Sequence, residues 1–275
     1  GSEMCIRDSF YCKWYRKPLV LWLTLSERTE TSRKGLRKYL RKYLLKSATT
    51  VMGNGKSCER YVRSLNYQGE VFFVPYTIDL PQDQTELKVK NEPLTVLFVG
   101  QLIKRKGVEE MVNAFLKWSE NAQTPIRLVV AGDGPEREKL NELKNQPQIE
   151  LEALGSVEYA RISELYRKSD IFLFPTLGDE WGVVVNEALS NKVPVIGSMY
   201  SQAVEELIVN GENGWLFYPD KAAEFENVLQ DALSVSPEKL LEMRRSCSQA
   251  LEKVTVSAAV TNMVKAMESA TRKSN

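Results

Sequence analysis

From Leu94 onward the sequence alternates short apolar runs with helix-patterned stretches, and this alternation leaves few folds open. The strand-like runs are Leu94–Val99, Ile126–Ala131, residues 149–151, Ile171–Phe174 and residues 193–196. Between them, apolar residues recur at helical spacing over residues 108–120, 135–144 and 161–168 and over Val183–Ser190. A short helix is expected at residues 205–209, a last strand at Gly214–Phe217, and helices from there to the end. Repeated strand–helix units demand a parallel sheet covered on both faces. Sheets of this kind take ligands at the carboxyl ends of their strands, near the point where strand order reverses.

The first part of the chain is less regular. Glu3 to Ser9 fits no element. Residues 19–25 (LVLWLTL) read as a buried strand, residues 49–52 and 71–74 as further strands, and residues 57–65 as a helix. Residues 75–92 are rich in Pro and polar groups and read as a linker. Three strands in this part are too few for an open doubly wound sheet of ordinary domain size, about 100–150 residues. The chain is therefore expected to start inside its first domain, with Trp22 in an incomplete layer. A small cap domain complete in itself is the other option. The expected organisation is a partial first domain over residues 10–92, a second domain over 93–255, and a terminal helical segment over 256–275.

Composition excludes several chemistries. Histidine is absent from all 275 residues, which removes His-based general bases and catalytic triads. The four cysteines, Cys5, Cys12, Cys58 and Cys247, show no metal-binding spacing and read as free thiols in a reducing compartment. There is no Asp-x-Asp pair to hold a divalent ion, so no metal site is expected. Net charge is +1, which gives no field for nucleic acid. No apolar run approaches the roughly 18–20 residues needed to span a bilayer. The stretch from Arg33 to Lys46 is a basic amphipathic helix on Leu36, Leu40, Tyr43 and Leu44. Such helices either lie on anionic membranes or pack by their leucines with a solvated basic face.

The most informative segment is LGDEWGVVVNEAL, from Leu177 to Leu189. It follows a buried strand, turns through acidic residues and enters a helix. Val183, Val184 and Val185 are poor helix formers, so burial must hold this turn. A helix N-terminus after a glycine-containing turn presents unpaired N–H groups suited to phosphate. Asp179, Glu180 and Glu187 are suited instead to accepting hydrogen bonds from sugar hydroxyls. A diphosphate flanked by two sugars is a nucleotide sugar.

This segment resembles the carboxylate signature of retaining glycosyltransferase family 4, also called group 1. Family members carry two Glu residues eight positions apart with Phe/Trp-Gly between them; here Trp181, Gly182 and Glu187 match, and Asp179 replaces the first Glu. The resemblance implies that Asp179, with Glu180 beside it, faces the transferred sugar and that Glu187 holds the ribose hydroxyls. The loop Gly100-Gln101-Leu102-Ile103-Lys104-Arg105-Lys106-Gly107 resembles the family's diphosphate loop, with Lys106 in the Lys position and Gln101 where the family has Arg. Gly132-Asp133-Gly134-Pro135 resembles its Gly-x-Gly-Pro turn. Gly155, Ser156 and Val157 correspond to the loop against the nucleobase. Ser201-Gln202 departs from the family's Gly-Gly.

The resemblance therefore implies an α/β protein of two Rossmann-like domains (the GT-B type), with a complete C-terminal donor domain and a partial N-terminal acceptor domain. Residues 256–273 would cross back to the first domain. The implied activity is metal-independent transfer of a sugar, with retention, from a nucleotide sugar to a glycan or lipid-linked acceptor, as in polysaccharide biosynthesis. No cofactor is implied beyond the donor substrate. Lys106, Arg105 and the amides near Gly182, Val183 and Val184 would stabilise the leaving diphosphate, with Asp179 and Glu187 as the carboxylates. A cytoplasmic setting, at the inner face of the membrane if the basic helix docks there, is expected. The competing function is a nucleotide-sugar-binding fragment that does not transfer. An epimerase on the same fold is disfavoured by the missing histidine and the family-like spacing.

Overall fold

The computed structural model describes residues 2–31, 35–77 and 93–272. They form two compact units. Residues 78–92 of the expected linker, Arg33 and Lys34 of the basic helix, and Lys273 lie outside the described residues.

The first unit takes the chain up to Thr77, the tripeptide Asp179–Trp181, and the chain from Lys253 onward. Its elements are α1 (Ser2–Trp14), β1 (Val20–Leu23), α2 (Glu27–Thr31), α3 (Leu36–Ser47), β2 (Thr50–Gly53), α4 (Lys56–Ser64) and β3 (Glu70–Phe73). Among the described residues the sheet has three parallel strands in the order β1-β2-β3. Trp22 on the edge strand β1 is 49% exposed. One face of the sheet packs Leu21 and Val51 against Leu45, Tyr61, Val62 and Leu65. The other face receives the C-terminal helix Val256–Arg272, through Ala259, Met263 and Ala266 against Met52 and Val74. Small residues at 259, 266 and 270 let that helix approach closely, and Thr50 Oγ1 donates to Ala266 O at 3.2 Å.

Two expectations for this unit need correction. The residues from Glu3 to Ser9 lie within α1. The helix lacks a clean apolar stripe but docks on its neighbours, with Ser9 buried, Phe10 5.8 Å from Tyr43, and Cys12 on the core. The basic helix begins at Leu36, after Gly35, and one of its cations points inward. Arg41 pairs with the buried Glu30 and donates to Tyr61 Oη at 3.0 Å.

The second unit holds β4 (Leu94–Val99), α5 (Val108–Ser119), β5 (Ile126–Ala131), β6 (Ile149–Gly155), α6 (Tyr159–Lys168), β7 (Ile171–Phe174), α7 (Val183–Ser190), β8 (Val195–Ser198), α8 (Gln202–Leu207), β9 (Gly214–Phe217), α9 (Ala222–Leu233) and α10 (Pro237–Cys247). The terminal helix of the first unit is then α11. The six strands run in the order β6-β5-β4-β7-β8-β9, all parallel. Chain order thus reverses between β4 and β7, the doubly wound arrangement. β4 and β7 are buried on both faces and carry almost only apolar side chains, as central parallel strands must. α5 buries Val108, Met111, Val112, Phe115 and Trp118 against them.

Several boundaries differ from the sequence expectation. Residues 135–144 form not an α-helix but a 3₁₀ helix over Arg137–Leu143. Its buried leucines, Leu140 and Leu143, sit three apart, the spacing that eclipses in a 3₁₀ helix. β6 continues to Gly155 because β5 pairs with it along its whole length. β8 starts at Val195, just after Pro194. α8 begins at Gln202 because Ser201 caps it, accepting from Val204 N.

Ser236 caps α10 in the same way, accepting from Lys239 N at 3.2 Å with Pro237 in the first turn. Ser236→Ala is expected to lower stability by about 1 kcal/mol in urea unfolding, the usual effect of losing a cap.

Candidate functional site at the strand switch point

The loops that leave β4 and β7 stand where strand order reverses, the usual place for ligands in sheets of this kind. The β4 loop is Gly100 to Lys106, ending in a turn of 3₁₀ helix over Lys104–Lys106. Gly107 follows at φ +72°, and a Cβ on it would lie 2.0 Å from Pro175 O. Only glycine lets the two loops meet there.

Three further bonds tie them together. Arg105 O accepts from Leu177 N at 2.8 Å and from Thr176 Oγ1 at 3.0 Å. The Arg105 guanidinium donates to Gly178 O at 2.9 Å. Ser198 Oγ, on β8, donates to Thr176 O at 2.6 Å. Lys106 reaches back so that its ammonium lies 5.2 Å from the Phe174 ring centre. Gln101 and Lys104 are exposed at the rim.

α7 starts from Gly182, at φ +104° and with no side-chain cap. A Cβ there would meet Phe174 at 2.7 Å and Ser201 Oγ at 2.8 Å. The helix start is held by packing, with Val185 fully buried while Val183 is exposed and Val184 half-buried. No side chain caps this first turn, and a helix start of this kind favours an anion.

One turn into α7 stands Glu187. It is half-buried, and burial raises its carboxyl above the ordinary range; hydrogen bonds from Tyr166 and Tyr159 oppose that rise. Tyr166 is fully buried, its hydroxyl 3.2 Å from Glu187 Oε2 and 3.1 Å from Val184 O. At the carboxyl end of β6, Gly155 O accepts from Gly132 N at 2.8 Å, which sets the Gly155–Ser156–Val157 turn beside the Gly132–Gly134 turn. Ser156 is exposed and Val157 half-buried.

Asp179, Glu180 and Trp181 group with the first unit. Glu180 O accepts from Asn54 Nδ2 at 2.6 Å, and the Trp181 ring lies 6.5 Å from Phe73. Trp181 is 2% exposed, so its ring is a packing group and only its backbone remains for a ligand. Arg105, Lys106, Gly182, Val183, Val184 and Glu187 belong to the second unit. Tyr166, Thr176 and Ser198 were not singled out in the sequence. Tyr166 lies four residues after Ile162 on a buried helix face, so its spacing signals core and nothing marks the hydroxyl.

Among the described residues, no group of three or more His, Cys, Asp or Glu side chains is placed to hold a metal. No described helix is long and apolar enough to cross a membrane.

A six-stranded doubly wound sheet, with a basic loop bonded at its switch point to the loop that leaves β7, defines an open α/β unit of the class that takes ligands there. The chain belongs to the glycosyl transferases group 1 family, whose model matches residues 79–254. It is 24% identical over 183 residues to an alpha-monoglucosyldiacylglycerol synthase of Acholeplasma laidlawii, covering 61% of this chain and 45% of that protein. The chain thus spans about half the length of this curated relative. The fold of the chain matches that of solved GT-B glycosyltransferases. A lipopolysaccharide outer core galactosyltransferase in its apo form superposes with a TM-score of 0.77 at 16% identity, covering 98% of this chain and 73% of the other. Anabaena HepE in complex with UDP and glucose superposes at 0.72 and 16% identity, covering 98% and 76%.

Proposed function

We propose that the second unit holds the donor of a glycosyltransferase, a nucleoside diphosphate joined to a sugar, and that the sugar passes with retention to a glycan or lipid-linked acceptor. The observation that carries this reading is the clamp between Arg105 and residues 176–178. It sets a cationic loop beside an uncapped helix start, with a half-buried carboxylate one turn further on. The diphosphate is assigned to Lys106 and to the amides of Gly182, Val183 and Val184. Arg105 acts chiefly by shaping the loop. Glu187 takes the ribose hydroxyls, and Gly155, Ser156 and Val157 line the nucleobase. The HepE complex with UDP and the lipid named for the Acholeplasma relative support a nucleotide donor and a lipid-linked acceptor.

As the sugar–oxygen bond breaks, negative charge grows on the leaving diphosphate. A fixed ammonium and a helix terminus stabilise that charge without having to reorganise. No divalent ion is needed in this scheme. The exposed cations of α3 would bring the protein to an anionic membrane surface carrying the acceptor.

Lys106→Ala is expected to weaken nucleoside diphosphate binding about tenfold, the scale of one charge-assisted contact. Calorimetry at rising salt checks it, because the variant should also show a shallower salt dependence. Turnover measured with a panel of nucleotide sugars on the same protein separates a transferase from a chain that binds without transferring.

A further inference from the structure

Tyr166 carries a fully buried hydroxyl whose hydrogen bonding ends on a carboxylate assigned to ligand. Its ring packs edge-on to Phe172 of β7, centroids 5.4 Å apart and planes at 66°. Its hydroxyl reaches two acceptors on α7, Val184 O and Glu187 Oε2, which lie three residues apart on one helix face. A phenol has a single proton to donate, so its two acceptors compete for it. When Glu187 is ionised it is the stronger acceptor and draws the proton. A carboxylate on a one-turn-deep helix position has several rotamers, and this bond selects one of them.

We infer that Tyr166 is a positioning residue: from α6 it fixes the Glu187 carboxylate, through its hydroxyl, in the orientation that receives the ribose of a nucleoside diphosphate. The inference rests on the assignment of Glu187 to ribose made above. The hydroxyl favours the ionised acid, since it donates to the charged form. Tyr159, on the same helix, donates to it as well. The two tyrosines and burial are the influences that set the carboxyl's ionisation. Loss of the Tyr166 hydroxyl therefore moves that ionisation to higher pH.

The test is Tyr166→Phe, which removes one oxygen and keeps the ring. UDP, GDP and ADP are titrated first, and the tightest is compared with its 2′-deoxy form and with inorganic pyrophosphate. The variant is expected to bind the ribonucleotide about three- to tenfold more weakly, a fraction of what a direct bond to a charged group contributes, because the hydroxyl orients the carboxylate without touching the ligand. Pyrophosphate binding should be unchanged, and the preference for ribose over deoxyribose should shrink. Its ribonucleotide binding should also begin to fail at higher pH than that of the parent. Equal losses for ribonucleotide and pyrophosphate would show a general loosening of α7 and overturn the inference. So would unchanged ribose preference and pH profile in Tyr166→Phe while Glu187→Ala loses affinity. If Glu187→Ala has no effect either, the assignment of the site itself falls.

Discussion

Asp170→Ala is expected to destabilise the second unit by about 3–5 kcal/mol, the cost of breaking a buried ion pair by removing one partner. Asp170 stands at the foot of β7, and Arg244 comes to it from α10 across 74 residues of sequence. Their side chains are 3% and 7% exposed. The carboxylate accepts from Arg244 Nη2 at 2.9 Å and from Thr95 N, on β4, at 2.8 Å; Arg244 also donates to Ser169 O at 3.0 Å. Alanine would leave the buried guanidinium and the Thr95 N–H without that acceptor, and the desolvation of the guanidinium would no longer be offset. The bonds span β4 and β7, the strands whose far ends carry the loops of the candidate site. For a unit of this size the melting temperature should fall by roughly 6–20 °C. The double variant Asp170→Leu/Arg244→Met should recover much of that, because replacing both charges by apolar groups leaves nothing unpaired. A single-variant shift below about 2 °C in scanning calorimetry would show that the pair does not hold the sheet.

The second large effect is on binding. Glu187→Ala should leave the melting temperature nearly unchanged and weaken nucleoside diphosphate binding by about 1.5–3 kcal/mol, the loss of hydrogen bonds to a charged group. Burial raises the Glu187 carboxyl above the usual carboxylate range. The ionised form is the one that accepts from ribose, so affinity in the parent should be full above that raised pKa and decline as pH falls through it. The decline should start at higher pH than for an exposed glutamate, whose midpoint is about 4.3. In Glu187→Ala this pH dependence should vanish. Unchanged affinity in a folded Glu187→Ala protein would remove Glu187 from the site.

The parts of the fold that were readable in the sequence are those where one physical rule acts alone. β4, β5, β7 and β9 are apolar runs bounded by turn residues, and their observed limits coincide with the runs. α7 was legible despite its valines because the segment before it names a strand–turn–helix junction. Less readable were elements fixed by tertiary contact. α1 forms by docking on its neighbours, and the 3₁₀ segment Arg137–Leu143 follows from how Leu140 and Leu143 are buried. Ser201 stood out only as a departure from a Gly-Gly pattern, yet it caps α8. The site shows the same division. Its turns and its helix start could be read from glycine positions, whereas the bonds through Thr176 and Ser198 and the Tyr166 bond depend on residues brought together across the sheet.

Binding of a nucleoside diphosphate by the second unit's own cations and amides is what the proposed function depends on. It is tested most directly by titrating the intact chain with UDP, GDP and ADP in a calorimeter, first in excess chelator and then with magnesium. Saturable binding of at least one of them is expected, with the same affinity in both conditions. Absence of binding to all three, or binding that appears only with magnesium, would contradict it.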